Sequence, residues 1–175
     1  MRIISGKHRG KKLLAPKKLP VRPTTDMAKE SLFNILNNYY YFDQLDVIDL
    51  FAGTGNISFE FASRGSKNVL SVDIDSGCIK FIEKTIEEIG LQNMDVVKED
   101  VFKYLAKTSN KADLIFADPP YDFSQEEFES IPKFVFDRDL LNENGMLVVE
   151  HFNKMDLSHV EHFSFSRKYG AKTPP

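Results

Sequence analysis

The sequence predicts an α/β fold: a mostly parallel sheet with helices on both faces, preceded by a basic N-terminal β-hairpin extension. Three observations carry that expectation. From residue 46 onward, short apolar runs alternate with amphipathic stretches, the pattern of right-handed βαβ crossovers. Each apolar run ends in a glycine, acid or proline cluster, as strands do where they feed a loop. The charge is also divided. Residues 1–22 carry eight Lys/Arg and no acid, while the remaining 153 residues hold 15 basic against 26 acidic side chains, a net of −11 within an overall −3.

The elements follow in order. "RIISG" and "KKLLAP" flank the basic "KHRGK" and read as a small hairpin or two strands. "LPVRPTTD" is proline-punctuated and extended. Thr24 or Thr25 opens a helix, with Asp26 and Glu30 in its first turns at the positive dipole end and Leu32, Phe33, Ile35 and Leu36 on its apolar face. "DVIDLF" is a buried strand and "NISFEFASRG" a helix ending at Gly65. "NVLSVDID" is a second strand and "SGCIKFIEKTIEEIG" a helix ending at Gly90. "MDVVKED" is a third strand, followed by a short helix "VFKYLAK"; "ADLIFAD" is a fourth. "SQEEFESIPKFVF" reads as a helix interrupted by Pro132. "GMLVVEHF" gives a fifth strand and "HVEHFSFSRKYG" a sixth.

Composition excludes several classes. At 175 residues, 42% hydrophobic and 28% charged, the chain is long enough for one domain with a real core. Its single cysteine, Cys78, rules out an internal disulfide framework and suits a reducing compartment. The start is basic and polar rather than a secretory signal, and no stretch is long and apolar enough to span a bilayer, so the expectation is cytoplasmic. A basic arm on an acidic body suggests a polyanion held at one end, the alternative being a solvated terminal tail.

In a doubly wound sheet, ligands bind outside the carboxyl ends of the strands. The first strand ends in "DLFAGTGN", where Gly53 and Gly55 permit a tight turn and close approach of a ligand to the backbone. A dinucleotide fingerprint wants a third glycine three residues after the second; that place holds Ser58, which counts against a nicotinamide or flavin oxidoreductase. The second strand ends in "VDID". An acid there hydrogen-bonds ribose hydroxyls; Asp73 is the choice and Asp75 the reserve, with a helix N-cap role for Asp75 or Ser76 as the competing explanation. After the third strand, Asp100 suits an adenine amine or, equally, a helix N-cap, and Phe102 can pack on a ring.

The fourth strand stops on Asp118-Pro119-Pro120-Tyr121. The prolines end both ladder and helix, leaving a rigid extended turn. The Asp118 carboxylate and the Pro119 carbonyl are two acceptors that could grip both hydrogens of an exocyclic amine, with Tyr121 stacked on the base. An aromatic amine is a poor nucleophile because its lone pair is delocalised, and two acceptors help to draw that pair out of conjugation. A proline-stiffened turn with a surface tyrosine is the bland alternative. His8, His151, His159 and His162 have no motif context, and Cys78 sits on the presumed second βα helix; none is expected to act, and no metal site is expected.

In this order, "DLFAGTGN", "VDID", "KED" and "DPPY" resemble the class I, Rossmann-like S-adenosylmethionine-dependent methyltransferases, and the Asp-Pro-Pro-Tyr form resembles those acting on exocyclic amines of bases. "MRIISGKHRGKKLLAP" with "RPTTDMAKESLFNIL" and the late "RKYG" are similar to the RsmD family of bacterial 16S rRNA guanine-N2 methyltransferases, over nearly the whole chain. The resemblance implies S-adenosyl-L-methionine as cofactor and 16S rRNA in an assembled small ribosomal subunit as substrate. It implies Gly53 and Gly55, with Asp49 just before them, around the methionine part, Asp73 on the ribose and Asp100 at the adenine. Phe51, Thr54, Ile74 and Val101 are further cofactor contacts, and the "RPT" element of Arg22, Pro23, Thr24 and Thr25 lies near the carboxylate end. Asp118, Pro119, Pro120 and Tyr121 become the catalytic loop. Arg2, Lys7, Arg9, Lys11 and Lys12 become RNA contacts on an extension of residues 1–24, leaving residues 25–175 as the methyltransferase domain. A monomer is the default. The family continues past "RKYG" into a last apolar strand, whereas this chain reads "AKTPP"; either that strand is absent or the end is altered. The rivals are an adenine-N6 DNA methyltransferase, which would want a target-recognition domain, a nucleotide-dependent oxidoreductase, and a catalytically silent RNA-binding module.

Overall fold

The computed structural model describes residues 1–21 and 24–168. Five strands form one parallel sheet: β1 (Asp46–Leu50), β2 (Asn68–Asp73), β3 (Met94–Lys98), β4 (Ala112–Ala117) and β5 (Leu141–Val149), in the order β3-β2-β1-β4-β5. The chain runs outward from β1 to β3, then returns to place β4 on the other side of β1. The topological switch point therefore lies between β1 and β4.

Helices cover both faces, which is why the strands read as near-continuous apolar runs. α1 (Asp26–Leu36), α2 (Asn56–Ser63) and α3 (Ser76–Ile89) pack Leu32, Phe33, Ile57, Phe61 and Ile82 against Val47, Val69, Leu114 and Phe116. α4 (Val101–Lys107) and α5 (Gln125–Asp137) pack Leu105, Ile131 and Val135 against Ile48, Leu50, Val72 and Ile115. Each such aliphatic side chain withdrawn from water contributes about 1.5–3 kcal/mol.

The helix boundaries follow the local chemistry. Thr25 caps α1 by accepting the Ala28 N–H, Asp75 caps α3 through Cys78, and Asp100 caps α4 through Lys103. Gly90, at φ +68°, ends α3 in the left-handed region. Ser124 and Glu127 form a reciprocal capping box at the start of α5.

Four expectations change. α5 is not interrupted at Pro132 but runs through it; the proline withdraws the N–H that would reach Phe128, a cost of about 3 kcal/mol in a helix interior, and is itself buried. β5 begins at Leu141, before Gly145, with an irregularity in its pairing to β4, and stops at Val149. The sixth strand is not formed among the described residues: 159–168 are irregular, and Phe163 and Phe165 are too exposed to give a strand a buried row. Instead the segment after β5 folds back over α5 through Met155 and Leu157. The "AKTPP" end lies outside the described residues. Finally, the N-terminal stretch closes on itself through a single antiparallel bridge, Arg2 with Lys12, rather than two strands. It shares the main core, with Ile3 and Leu13 buried among Leu32, Phe33 and Phe61.

Candidate functional site

The carboxyl ends of β1, β2 and β4 converge on one cleft of about 820 Å³. Its loops are held by the sheet. Ala52 N–H donates to the Val72 carbonyl at 3.1 Å, and Glu150 N–H donates to the Ala117 carbonyl at 2.8 Å. The turn after β1 needs the left-handed region three times in five residues, at Phe51 (φ +59°), Gly53 (φ +55°) and Gly55 (φ +75°). Space compounds the demand. A Cβ on Gly53 would stand 3.1 Å from Val21, and one on Gly55 would stand 3.1 Å from both Ile82 and Phe59.

Asp73 is oriented by backbone on both oxygens. Oδ2 accepts the Gly53 N–H at 2.7 Å and Oδ1 accepts the Asp75 N–H at 2.8 Å. The first bond locks the glycine loop of β1 to the end of β2. Asp75 is used differently: its Oδ1 accepts the Cys78 N–H at 2.8 Å, and this backbone bond, with a further one to the Gly77 N–H, holds its pKa below the usual range. Asp100 likewise accepts the Lys103 N–H at 3.0 Å while lining the cleft.

Asp49 is buried at 2% exposure, with one edge on the cleft. Ser58 Oγ donates to its Oδ2 at 2.5 Å, and Ser71 Oγ donates to Ser58 Oγ at 2.7 Å. Burial raises its pKa to about 7, the Ser58 bonds oppose that rise, and the nearby Asp73 charge adds to it. Cys78 also faces the cleft; burial, with Asp73 and Asp75 beside it, pushes its thiol up to about 12, so it stays protonated.

Of the residues singled out from sequence, Thr24, Asp49, Phe51, Gly53, Thr54, Asp73, Ile74, Asp100, Val101 and the four of Asp118–Tyr121 line this cleft. Thr25 and Gly55 do not; they cap α1 and α2. Arg22 lies outside the described residues. Phe102 does not line the cleft; its ring packs on Phe51, Phe123 and Phe134, of which Phe51 and Phe123 do. Tyr121 is 49% exposed, with Phe152 6.1 Å away between ring centroids. Among the basic residues, Lys7, Arg9, Lys11 and Lys12 are exposed, while Arg2 is paired with Asp26 at 3.0 Å.

Sequence reasoning missed one whole wall. Met1, Leu13–Lys17 and Leu19–Val21 line the cleft together with the strand-end loops, and so does Asn56. Pro16 and Pro20, bracketing a turn in which the Leu19 N–H donates to the Pro16 carbonyl at 3.2 Å, were the available signal. It also missed the buried pair Lys29 and Glu60. Lys29 stands at the i position of an i, i+3, i+4, i+7 set with Leu32, Phe33 and Leu36, so its burial was readable. Among the described residues, no three His, Cys, Asp or Glu side chains group as metal ligands, and no helix is long and apolar enough to cross a membrane.

Residues 1–173 match the family described as "Conserved hypothetical protein 95". The chain is 34% identical to "Putative rRNA methyltransferase YlbH" of Bacillus subtilis (strain 168), over 90% of this chain and 85% of that one. It is 31% identical to "Ribosomal RNA small subunit methyltransferase D" of Haemophilus influenzae, over 86% and 78%. Among solved structures, "Putative methyltransferase yhhF from Escherichia coli" superposes with a TM-score of 0.82 at 27% identity, covering 98% of this chain and 92% of that one. With the strand order, that likeness makes the fold class I methyltransferase-like.

Proposed function

The chain belongs to the Conserved hypothetical protein 95 family, and from that premise we propose that it transfers a methyl group from S-adenosylmethionine to the exocyclic N2 amine of a guanine in 16S rRNA of the small ribosomal subunit. The observation that carries the reading is the convergence of Asp73, the Gly53 loop and Asp118-Pro119-Pro120-Tyr121 on a single cleft. The relatives named as rRNA methyltransferases support it.

The residues present fit the cofactor. Each Asp73 oxygen accepts one backbone N–H and, with two lone pairs apiece, can also take one of two vicinal ribose hydroxyls. Asp49 offers a buried carboxylate toward a cationic methionine end. The cleft volume is in the range that holds a ligand of this size. S-adenosylmethionine supplies a methyl group already activated by the positive charge on sulfur. Asp118 and the Pro119 carbonyl accept the two amine hydrogens and aim the nitrogen lone pair, while Tyr121 stacks on the base. Positioning of this kind can supply roughly 7–11 kcal/mol. The alkylated amine is acidic and loses its proton after transfer, so no general base is required. Extruding the target base from its stack costs a few kcal/mol. Lys7, Arg9, Lys11 and Lys12 hold phosphates, which gives affinity without reading sequence.

The test is product identification. The protein is incubated with S-adenosylmethionine and undermethylated small subunits, and the digested RNA is analysed by mass spectrometry. N2-methylguanosine, lost in Asp118→Ala with RNA affinity retained, is the expected result. N6-methyladenine from added DNA and no methylguanosine would favour the DNA reading, which Asp-Pro-Pro-Tyr also serves. RNA binding with no turnover in the wild type would leave a binding module.

A further inference from the structure

Lys29 and Glu60 are both 0% exposed and pair at 3.1 Å. Two ions so deeply buried are tolerated only when their remaining hydrogen-bonding capacity is met. Lys29 Nζ also donates to the Arg2 carbonyl at 2.5 Å and to Asn56 Oδ1 at 2.8 Å. Glu60 accepts the Ile4 and Ser5 N–H groups at 2.9 and 3.0 Å and Arg64 Nε at 2.9 Å. Asn56, the first residue of α2, passes the connection on by donating Nδ2 to the Thr24 carbonyl at 3.3 Å. One buried charge pair thus ties together the base of the N-terminal segment, the residue that opens the approach to α1, and a residue of the cleft. Apolar side chains of equal volume would fill the space without the desolvation cost. They would not fix the directions of three backbone groups, the Arg2 carbonyl and the Ile4 and Ser5 N–H groups, nor hold Asn56.

The segment anchored in this way has two working sides. Lys7, Arg9, Lys11 and Lys12 are exposed on it. A few residues on, Leu13–Lys17 and Leu19–Val21 wall the cleft, with Leu19 seated so closely on α3 that a Cβ on Gly77 would stand 2.7 Å from it. We propose that Lys29 is a positioning residue that, through Glu60 and Asn56, couples polyanion binding on the N-terminal segment to ligand binding in the cleft. The inference rests on the reading under Proposed function. RNA held on the basic side biases the segment toward the placement that completes the cleft wall, and by linkage a ligand in the cleft strengthens RNA binding by the same factor.

The experiment measures the affinity of undermethylated small subunits with and without saturating S-adenosylhomocysteine, together with kcat and KM, for the wild type, Lys29→Met and Asn56→Asp. Asn56→Asp keeps an oxygen acceptor for Lys29, and leaves its Glu60 partner in place, but removes the donor to Thr24, so it decides the matter if Lys29→Met does not fold. In the wild type S-adenosylhomocysteine should tighten subunit binding about 5-fold or more. In the variants that ratio should fall to near one, with KM for subunits rising more than kcat falls. A purely structural role would lower thermal stability and leave the ratio of the folded fraction unchanged, which overturns the proposal. A wild-type ratio of one, with both ligands bound, overturns it while the proposed function stands; a wild type that binds neither ligand overturns both.

Discussion

Ser58, standing where a dinucleotide fingerprint would have its third glycine, donates a 2.5 Å hydrogen bond to the buried carboxylate of Asp49. Burial raises that carboxyl from 3.8 to about 7. A folded-state pKa raised above the unfolded value gives stability that is full below the unfolded pKa and is lost as pH rises through about 7. Asn at this position would still accept from Ser58 and carries no charge. Asp49→Asn should therefore gain melting temperature relative to the wild type as pH is raised from about 5 to about 8, by at least about 2 °C, while losing affinity for a cationic ligand. Parallel melting curves over that range check it; a constant offset would show that Asp49 does not titrate there.

Much of this site was legible because each motif residue acts through the backbone beside it. Asp118 follows an apolar run that can only be a strand, and Gly53 and Gly55 sit where the chain must take a left-handed turn. What stayed hidden depends on contacts far apart in sequence. Glu60 reads as the polar residue between Phe59 and Phe61 until residues 4 and 5 are seen donating to it. Pro132 reads as a break because local propensity cannot show that the site is buried and the helix runs on through it. The alternating phenylalanines at 163 and 165 read as a strand, yet no row of core awaits them; Phe165 instead stacks on Tyr39 at 5.7 Å.

Tyr121 lines the cleft and is 49% exposed, so a face of its ring is reachable from solvent beside Phe152, 6.1 Å away between centroids. Base–aromatic stacking is worth about 1–3 kcal/mol per base, so Tyr121→Ala should raise KM for subunits roughly 5- to 150-fold. Tyr121→Phe retains the ring and should stay close to the wild type. Equal losses in both variants would show that the hydroxyl, not the ring face, matters.

Gly6 holds the N-terminal segment against the end of α2. Its φ is +83°, and a Cβ there would stand 1.9 Å from the Ser63 backbone carbonyl oxygen. Backbone cannot give way as a side-chain tip can, so Gly6→Ala should destabilise by more than about 1 kcal/mol and displace the segment. Subunit affinity should fall with stability. Gly10→Ala is the control: the φ is the same, +83°, but nothing lies within 4 Å. It should show the conformational penalty alone, and matching losses in thermal melts and binding would refute the steric argument.

The basic residues of the N-terminal segment are not equivalent. Lys7, Arg9, Lys11 and Lys12 present exposed charge, whereas Arg2 is already paired with Asp26 at 3.0 Å. A cation that neutralises a phosphate releases condensed counterions and adds about 0.7–0.9 to the slope of log affinity against log salt. Replacing Lys12 or Arg9 by Gln should lower that slope by about this amount, whatever the RNA sequence. Arg2→Gln should lower it less, because Arg2 must first give up its carboxylate partner, and should cost only a few tenths of a kcal/mol in stability, as exposed pairs do. Filter binding of small subunits across a salt series separates the cases. A slope that falls as far with Arg2→Gln as with Lys12→Gln would mean that the Asp26 pair opens when RNA binds.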